Sequence, residues 1–396
     1  MELVIHRDEK KIGGSLVEIR SGSSRIVVDP GLPYEGEARG VDGVLVSRAD
    51  PDHYLLQGHI SPDIPAYMSR GAKELIDITG MFSSLKSRLG NVSVISKPGP
   101  FAVGEFMITP YPVDHSAFDA LAFLIEAGGK RVFYSGDFRG HMGKSLLFAR
   151  MVKDPPIGVD CFLMGGTTHM RGESDFPDER AVERRIEEIL KGKGNIKFLF
   201  ASSVNIDRLL SAYRACHRTG SIFVIDLYTA YILDKLRKVY KNIPEFDPKN
   251  MAVRFTRAYA DKLEEAGLRD LLYVYNKRKI DIFDIGRKKE RILMLAGDNP
   301  VFPVTLKELG GSEGAKIVYS MWEGYLTEKF RAYAAGKGIS IETVHTSGHA
   351  DADDLKKFAS AMNPKTLIPI HTPDPDQYPA LFNNVKVLAD KEIFCV

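Results

Sequence analysis

The chain has 396 residues, 44% of them hydrophobic, and 54 Lys and Arg against 52 Asp and Glu leave a formal net charge of +2. That length supports a sizeable core and two domains, and the near-neutral balance neither demands nor excludes an anionic polymer as partner. No apolar run reaches the roughly 18 residues of a membrane span, and no charged-then-apolar leader opens the chain, so no membrane contact and a cytoplasmic location are expected. Three widely spaced cysteines, Cys161, Cys216 and Cys395, give neither a disulfide framework nor a Cys-x-x-Cys knuckle, so any bound metal must be held by His and Asp.

Up to about residue 165 the sequence reads as short strands: "LVEIR", "RIVVDPG", "GVLVS", "PAYMS", "NVSVIS", "FMITPYPV" and "ALAFLIEAGGKRVFYSGD". β-branched and aromatic residues between Gly, Pro, Asn and Asp clusters carry that reading. One stretch, residues 69–89 in "SRGAKELIDITGMFSSLKSRL", has helical spacing and would cover a sheet face. From about Ser174 the texture alternates: helix in "DERAVERRIEEILKG", strand in "IKFLFAS", helix in "NIDRLLSAYRACHRTG", strand in "SIFVIDL". Such alternation predicts a parallel α/β unit. The last 56 residues return to strand, helix, strand and carry His345, His349 and His371. They form a third unit, or they complete the first around an insertion. The densest basic stretch, Lys277 to Arg291, reads as a solvated face in preference to a nucleic-acid contact.

His or Asp follows a strand-like run again and again: Asp29, the pair Asp52 and His53 in "VLVSRADPDHYLL", His115, Asp137, His349 and His371. Side chains at strand ends are held rigidly and can share one cleft, which is what a coordination shell requires. One such His means little; this many with interleaved carboxylates predict a metal centre. Asp29 is expected to brace the ligand loop through backbone donors. His141, close after Asp137, lines the cleft or packs beneath it.

Taken together, Asp29, "SRADPDH", His115, "SGDFRGH", "HTSGHADADDL" and "IPIHT" resemble the metallo-β-lactamase superfamily, in its β-CASP branch, which includes ribonuclease J. The resemblance covers essentially the whole chain, and Ser-Gly-His followed by Pro-Ile-His is its most specific part. It implies an α/β fold: an αββα sandwich split in sequence by an inserted β-CASP α/β domain. The expected boundaries are 1–173 and 341–396 for the sandwich and 174–340 for the insert. With the last expected sandwich strand ending the chain, the extra C-terminal domain of ribonuclease J is not expected and no matching oligomer is implied.

The family's His-x-His-x-Asp-His loop falls on Arg48, Asp50, Asp52 and His53, so its two leading histidines are replaced. The resemblance implies a first metal site reduced to His115 and Asp137, with Asp50 a poor substitute. It implies a complete second site of Asp52, His53, Asp137 and His371. Zinc is the expected ion, one held firmly and a second weakly or not at all, with manganese as the alternative. His349, Ser347, Arg48 and His141 are expected on the substrate side, with Asp52, His349 and Arg48 acting in catalysis. Arg48 cannot ligate a metal, but its guanidinium matches phosphate; a salt bridge to Asp50 is an equal alternative. Gly165 stands where the family carries an acidic residue, a loss of the kind that weakens metal affinity or activity by about 10 to 100-fold.

The resulting expectation is a metal-dependent phosphodiester hydrolase acting on RNA or single-stranded DNA with metal-bound hydroxide. Two alternatives stand beside it: a catalytically weak nucleic-acid-binding relative, and a small-molecule ester or lactone hydrolase. Arg48, Asp50 and Gly165 favour the former, whereas the insert and Ser-Gly-His speak against the latter.

Overall fold

Alternating apolar residues punctuated by Gly, Asp and Pro build the N-terminal strands in the computed structural model. It describes residues 1–6, 16–31, 40–55, 61–83, 90–96, 99–140, 145–166, 176–192, 194–241, 243, 249–372 and 374–396. The first strands are β1 (Glu2–His6), β2 (Leu16–Ser21), β3 (Ser24–Val28), β4 (Gly43–Leu45), β5 (Pro65–Ser69) and β6 (Asn91–Ile95). Next come β7 (Phe101–Val103), β8 (Phe106–Pro112), β9 (Leu121–Ala127), β10 (Lys130–Tyr134) and β11 (Cys161–Gly165). Between them lie the helices α1 (Pro51–Tyr54), α2 (Arg70–Phe82) and α3 (Ser145–Lys153). In the expected helix of residues 69–89, Ser69 Oγ accepts from the Ala72 amide and starts α2; residues 84–89 lie outside the described residues. Gly128 and Gly129, at φ 56° and 71°, turn β9 into β10 with the two positive angles that a tight hairpin needs.

The alternating segment forms β12 (Lys197–Phe200), β13 (Ile222–Asp226), β14 (Met251–Arg254), β15 (Ile292–Ala296), β16 (Lys316–Tyr319) and β17 (Ser340–Thr343). Its helices are α4 (Glu179–Lys191), α5 (Ile206–Thr219), α6 (Leu227–Arg237), α7 (Arg257–Glu265), α8 (Arg269–Asn276), α9 (Ile282–Arg287), α10 (Val301–Glu308) and α11 (Glu328–Gly336). The chain then returns through α12 (Ala352–Met362), β18 (Thr366–Ile370), α13 (Tyr378–Leu381) and β19 (Ile393–Cys395).

Three sheets result, with orders β19-β1-β2-β3-β4-β5-β6, β18-β11-β10-β9-β8-β7 and β14-β13-β15-β12-β16-β17. The first two form one unit, Met1–Gly172 with Gly348–Val396; the third belongs to Glu173–Ser347. Because β17 pairs with β16, the second boundary falls at 347/348 and not at the expected 340/341.

Period-two patterning explains the sandwich. Phe123, Ile125, Val132, Tyr134, Leu163 and Ile368 point into the core shared with Leu3, Val17, Ile26 and Leu45 of the first sheet. Their neighbours Ala122, Leu124, Phe133, Phe162, Met164 and Leu367 point the other way, onto Leu355, Phe358 and Met362 of α12. The middle sheet is therefore buried on both faces, and its strand ends are rigid mounts for functional side chains. In the inserted unit, Gly220 ends α5 in the left-handed conformation and Asp226 caps α6.

Candidate metal and catalytic centre

Asp29, which follows β3 with φ 49°, is fully buried and organises the loop after β4. Its carboxylate accepts from the Ser47 amide at 2.6 Å, Ser47 Oγ at 2.5 Å, Tyr134 OH at 2.6 Å and His53 Nδ1 at 3.0 Å. Burial pushes this carboxyl up, but His53, Arg48 and Ser47 outweigh it and hold it below the usual range. A Cβ on Gly31 would fall 1.4 Å from the Asp52 carbonyl oxygen, so only glycine lets the turn pass under the ligand loop.

Asp52, His53 and His371 meet at one point. Asp52 Oδ2 lies 3.5 Å from His53 Nε2 and 3.4 Å from His371 Nε2, with the other nitrogen of each ring held by a carboxylate: His53 Nδ1 by Asp29, and His371 Nδ1 by Asp137 Oδ2 at 3.0 Å. A second group, His115, Asp137 and His349, is nearly enclosed. His349 Nδ1 lies 3.2 Å from Asp137 Oδ2. Burial and the charge of Arg48 keep the His115 imidazole well below its ordinary pKa and therefore neutral. Its Nδ1 accepts from the Ala117 amide at 2.9 Å, so in the neutral ring Nε2 carries the hydrogen, and that buried Nε2 meets no hydrogen-bond partner among the described residues.

Arg48 lies between the two groups. Only 2% exposed, it donates through Nη2 to Asp137 Oδ2 at 2.5 Å and through Nε to Asp50 Oδ2 at 2.8 Å, and Nη2 also contacts His53 Nε2. Arg48 is thus a buried cation that forms the salt bridge to Asp50 given above as the equal alternative, and it pairs with Asp137 as well. The Asp50 carboxylate faces Arg48 and stands outside both His and Asp groups. Burial and the charge of Arg48 lower the His53 pKa while Asp52 and Asp29 raise it. The close approach of the Arg48 guanidinium needs Nε2 as an acceptor, which is the neutral ring with Nδ1–H on Asp29. Asp137, pushed up by burial, is held well below the carboxylate range by Arg48, His371 and His349.

A beta-lactamase superfamily domain matches residues 16–183, and a Zn-dependent metallo-hydrolase RNA specificity domain matches residues 338–378. Residues 16–183 thus match the beta-lactamase superfamily, and the chain as a whole resembles its β-CASP branch. It is 22% identical over 393 residues to ribonuclease J of Helicobacter pylori, covering 91% of this chain and 54% of that one. With ribonuclease J of Sinorhizobium meliloti it is 20% identical over 359 residues, covering 87% and 60%. The chain thus spans little more than half the length of these relatives. A crystal structure of a protein of unknown function from Enterococcus faecalis V583 superposes with TM-score 0.75 at 18% identity, covering 99% of both chains, and shows the shared fold.

Asp137, expected in both metal sites, groups here with His115 and His349 and not with Asp52, His53 and His371, and its Oδ2 pairs with Arg48 and orients His349 and His371. Gly165 has no room for a carboxylate: a Cβ there would lie 2.4 Å from the Gly136 carbonyl and 2.7 Å from Asp137 Oδ1. Ser347 and His349 are half-buried, and His141 lies outside the described residues. Sequence reasoning did not find Ser47, Tyr134 or the buried pair Arg139 Nε–Asp114 Oδ1 at 2.9 Å. Asp114 and Arg139 stand one residue before His115 and two after Asp137, and that adjacency was the available signal.

Proposed function

We propose that the chain hydrolyses phosphodiester bonds in RNA, with single-stranded DNA as a second substrate, using one divalent ion at Asp52, His53 and His371. The observation that carries this reading is the triangle of Asp52 Oδ2, His53 Nε2 and His371 Nε2. A tetrahedral zinc with bonds of about 2.0–2.1 Å places its ligand atoms about 3.3–3.4 Å apart, close to the 3.5 Å and 3.4 Å separations here. Carboxylates behind both imidazoles fix the tautomer that offers Nε2. Two nitrogens and one oxygen suit zinc better than manganese. When bound, such an ion supplies Lewis acidity that brings the pKa of water to about 7.

The first position does not fit an ion in the same way. Arg48 occupies Asp137 Oδ2 and His115 presents a hydrogen, so the guanidinium serves as a resident cation in place of a second metal. His53 Nε2 can serve the ion or Arg48 Nη2, not both, and loading therefore requires Arg48 to release His53 while keeping Asp50 and Asp137. His349 is neutral, its pKa lowered chiefly by burial, and its Nδ1–H points at Asp137. In that state Nε2 accepts a proton from an attacking water, the Asp137 carboxylate stabilises the imidazolium, and the proton passes to the leaving oxygen. Asp52, 43% exposed, orients the water. The names of the ribonuclease J relatives and the RNA specificity match support RNA as the polymer.

Hydrolysis of bis(p-nitrophenyl) phosphate and of 5′-phosphorylated RNA, read beside metal content, tests the reading. His349→Ala should lower turnover about 100-fold or more with metal retained; His371→Ala should lower both. Equal metal loss in the two variants removes the division of roles. The Arg48–His53 contact favours one second reading, an RNA-binding protein without turnover, which the assay identifies as binding with no hydrolysis at full metal loading.

A further inference from the structure

The inserted unit contains a cavity of about 190 Å³ at the C-terminal ends of its parallel strands. In the order β14-β13-β15-β12-β16-β17, the chain leaving β12 crosses β15 to reach β13, whereas the chain leaving β15 crosses β12 to reach β16. Adjacent strands whose connections depart in opposite directions open a crevice beyond their C-terminal ends, where doubly wound sheets take ligands. Ala201 and Ser203 after β12, Asp226 ending β13, Arg254 ending β14 and Gly297 after β15 line this one.

Its chemistry selects a neutral, flat ligand. Arg254 donates to Thr305 Oγ1 at 2.6 Å and Glu308 Oε2 at 2.9 Å, and Asp226 Oδ1 accepts from the Thr229 amide and hydroxyl, each at 2.7 Å. Arg254 is therefore paired and the cavity offers no spare cation to a phosphate, while Asp226 Oδ1 is held by neutral donors. What it does offer is two half-buried rings, Tyr228 and Tyr259, with centroids 6.3 Å apart and planes inclined by 57°, over the apolar floor of Met294, Leu295 and Phe302. Asn299 adds an amide at the rim, its Oδ1 accepting from the Val301 amide at 2.9 Å. The volume lies below the roughly 300–1,000 Å³ of pockets for drug-sized ligands and suits one ring system.

We propose that this cavity binds a single unpaired nucleobase, stacked on Tyr259 beside the inclined ring of Tyr228, with its edge against Asn299 and Asp226. An RNA strand as the source of that base rests on the hydrolase reading above; occupancy by a base does not. Titration of the full chain, without added metal, with adenosine, guanosine, cytidine and uridine by ligand-observed NMR and calorimetry tests it. At least one nucleoside should saturate the site, weakened roughly 10-fold by Tyr259→Ala and retained by Tyr259→Phe, because stacking needs the ring and not the hydroxyl. The matching 5′-monophosphate should bind no more tightly. A short single-stranded RNA that displaces the nucleoside identifies an RNA base as the ligand; RNA that leaves it in place identifies a free nucleoside. The proposal is overturned by no saturable binding of any of the four, by equal binding in Tyr259→Ala, or by competition from inorganic phosphate. Nucleoside binding that persists without RNA hydrolysis would sink the hydrolase reading alone.

Discussion

Asp137 Oδ2 receives Arg48 Nη2 at 2.5 Å, His371 Nδ1 at 3.0 Å and His349 Nδ1 at 3.2 Å, so one oxygen atom sets the orientation of two imidazoles and one guanidinium. That crowding explains Gly165. A larger side chain there strikes the Gly136 carbonyl and the Asp137 carboxylate, so Gly165→Glu should not recover a lost ligand brace. It should destabilise the fold by about 1–3 kcal/mol through overpacking and lower metal content, which thermal unfolding and elemental analysis would show; a more stable variant with more metal would contradict the placement. The ligand-loop residue types were legible in "SRADPDH", and so was the damage to its first two positions. Two further facts were not. Arg48 turns inward because Asp137, far away in sequence, meets it, and the hydrogen on His115 is placed by the Ala117 amide. Both are products of tertiary packing and hydrogen-bond direction, which residue spacing does not encode.

At the scale of elements, the three parallel strands whose C-terminal ends carry the centre are tied together at their opposite, N-terminal ends by Asp160. This residue precedes β11, accepts from the Arg131 amide of β10 at 2.8 Å and from Lys365 Nζ, just before β18, at 2.7 Å. Burial raises its pKa, but the Lys365 and Arg131 contacts prevail and leave it below the ordinary 3.8. A depressed folded pKa means stabilisation that is complete above the unfolded value and lost as pH falls through the folded one. Asp160→Asn should therefore cost about 1–2 kcal/mol near neutral pH, mostly from the amide contact because Lys365 is largely exposed. Denaturant unfolding at several pH values checks this: the gap from the unmodified chain should close below about pH 3–4, and a gap that widens in acid would refute it. Strand and helix existence was readable here because alternation and turn chemistry are local. The end of the insert was not, since β17 joins the third sheet through pairing with β16.

For the whole molecule, the sandwich unit needs both ends of the chain. β19 pairs with β1, β18 pairs with β11, and His349 and His371 arrive only with the returning segment. A chain stopped at Ser347 should lose cooperative unfolding of the sandwich unit and all specific metal binding; a truncated chain that keeps a sharp transition and its metal would refute the composite architecture. In the proposed reading one guanidinium stands where a second ion would be, leaving a single metal position. Elemental analysis after matched zinc exposure tests this most directly, comparing the unmodified chain with the double variant Arg48→His, Asp50→His. About one ion per unmodified chain is expected, and a rise toward two in the variant, with higher phosphodiesterase activity, once Arg48 no longer repels a second cation and Asp137 is released. Two tightly held ions in the unmodified chain, or none at all, would contradict that reading.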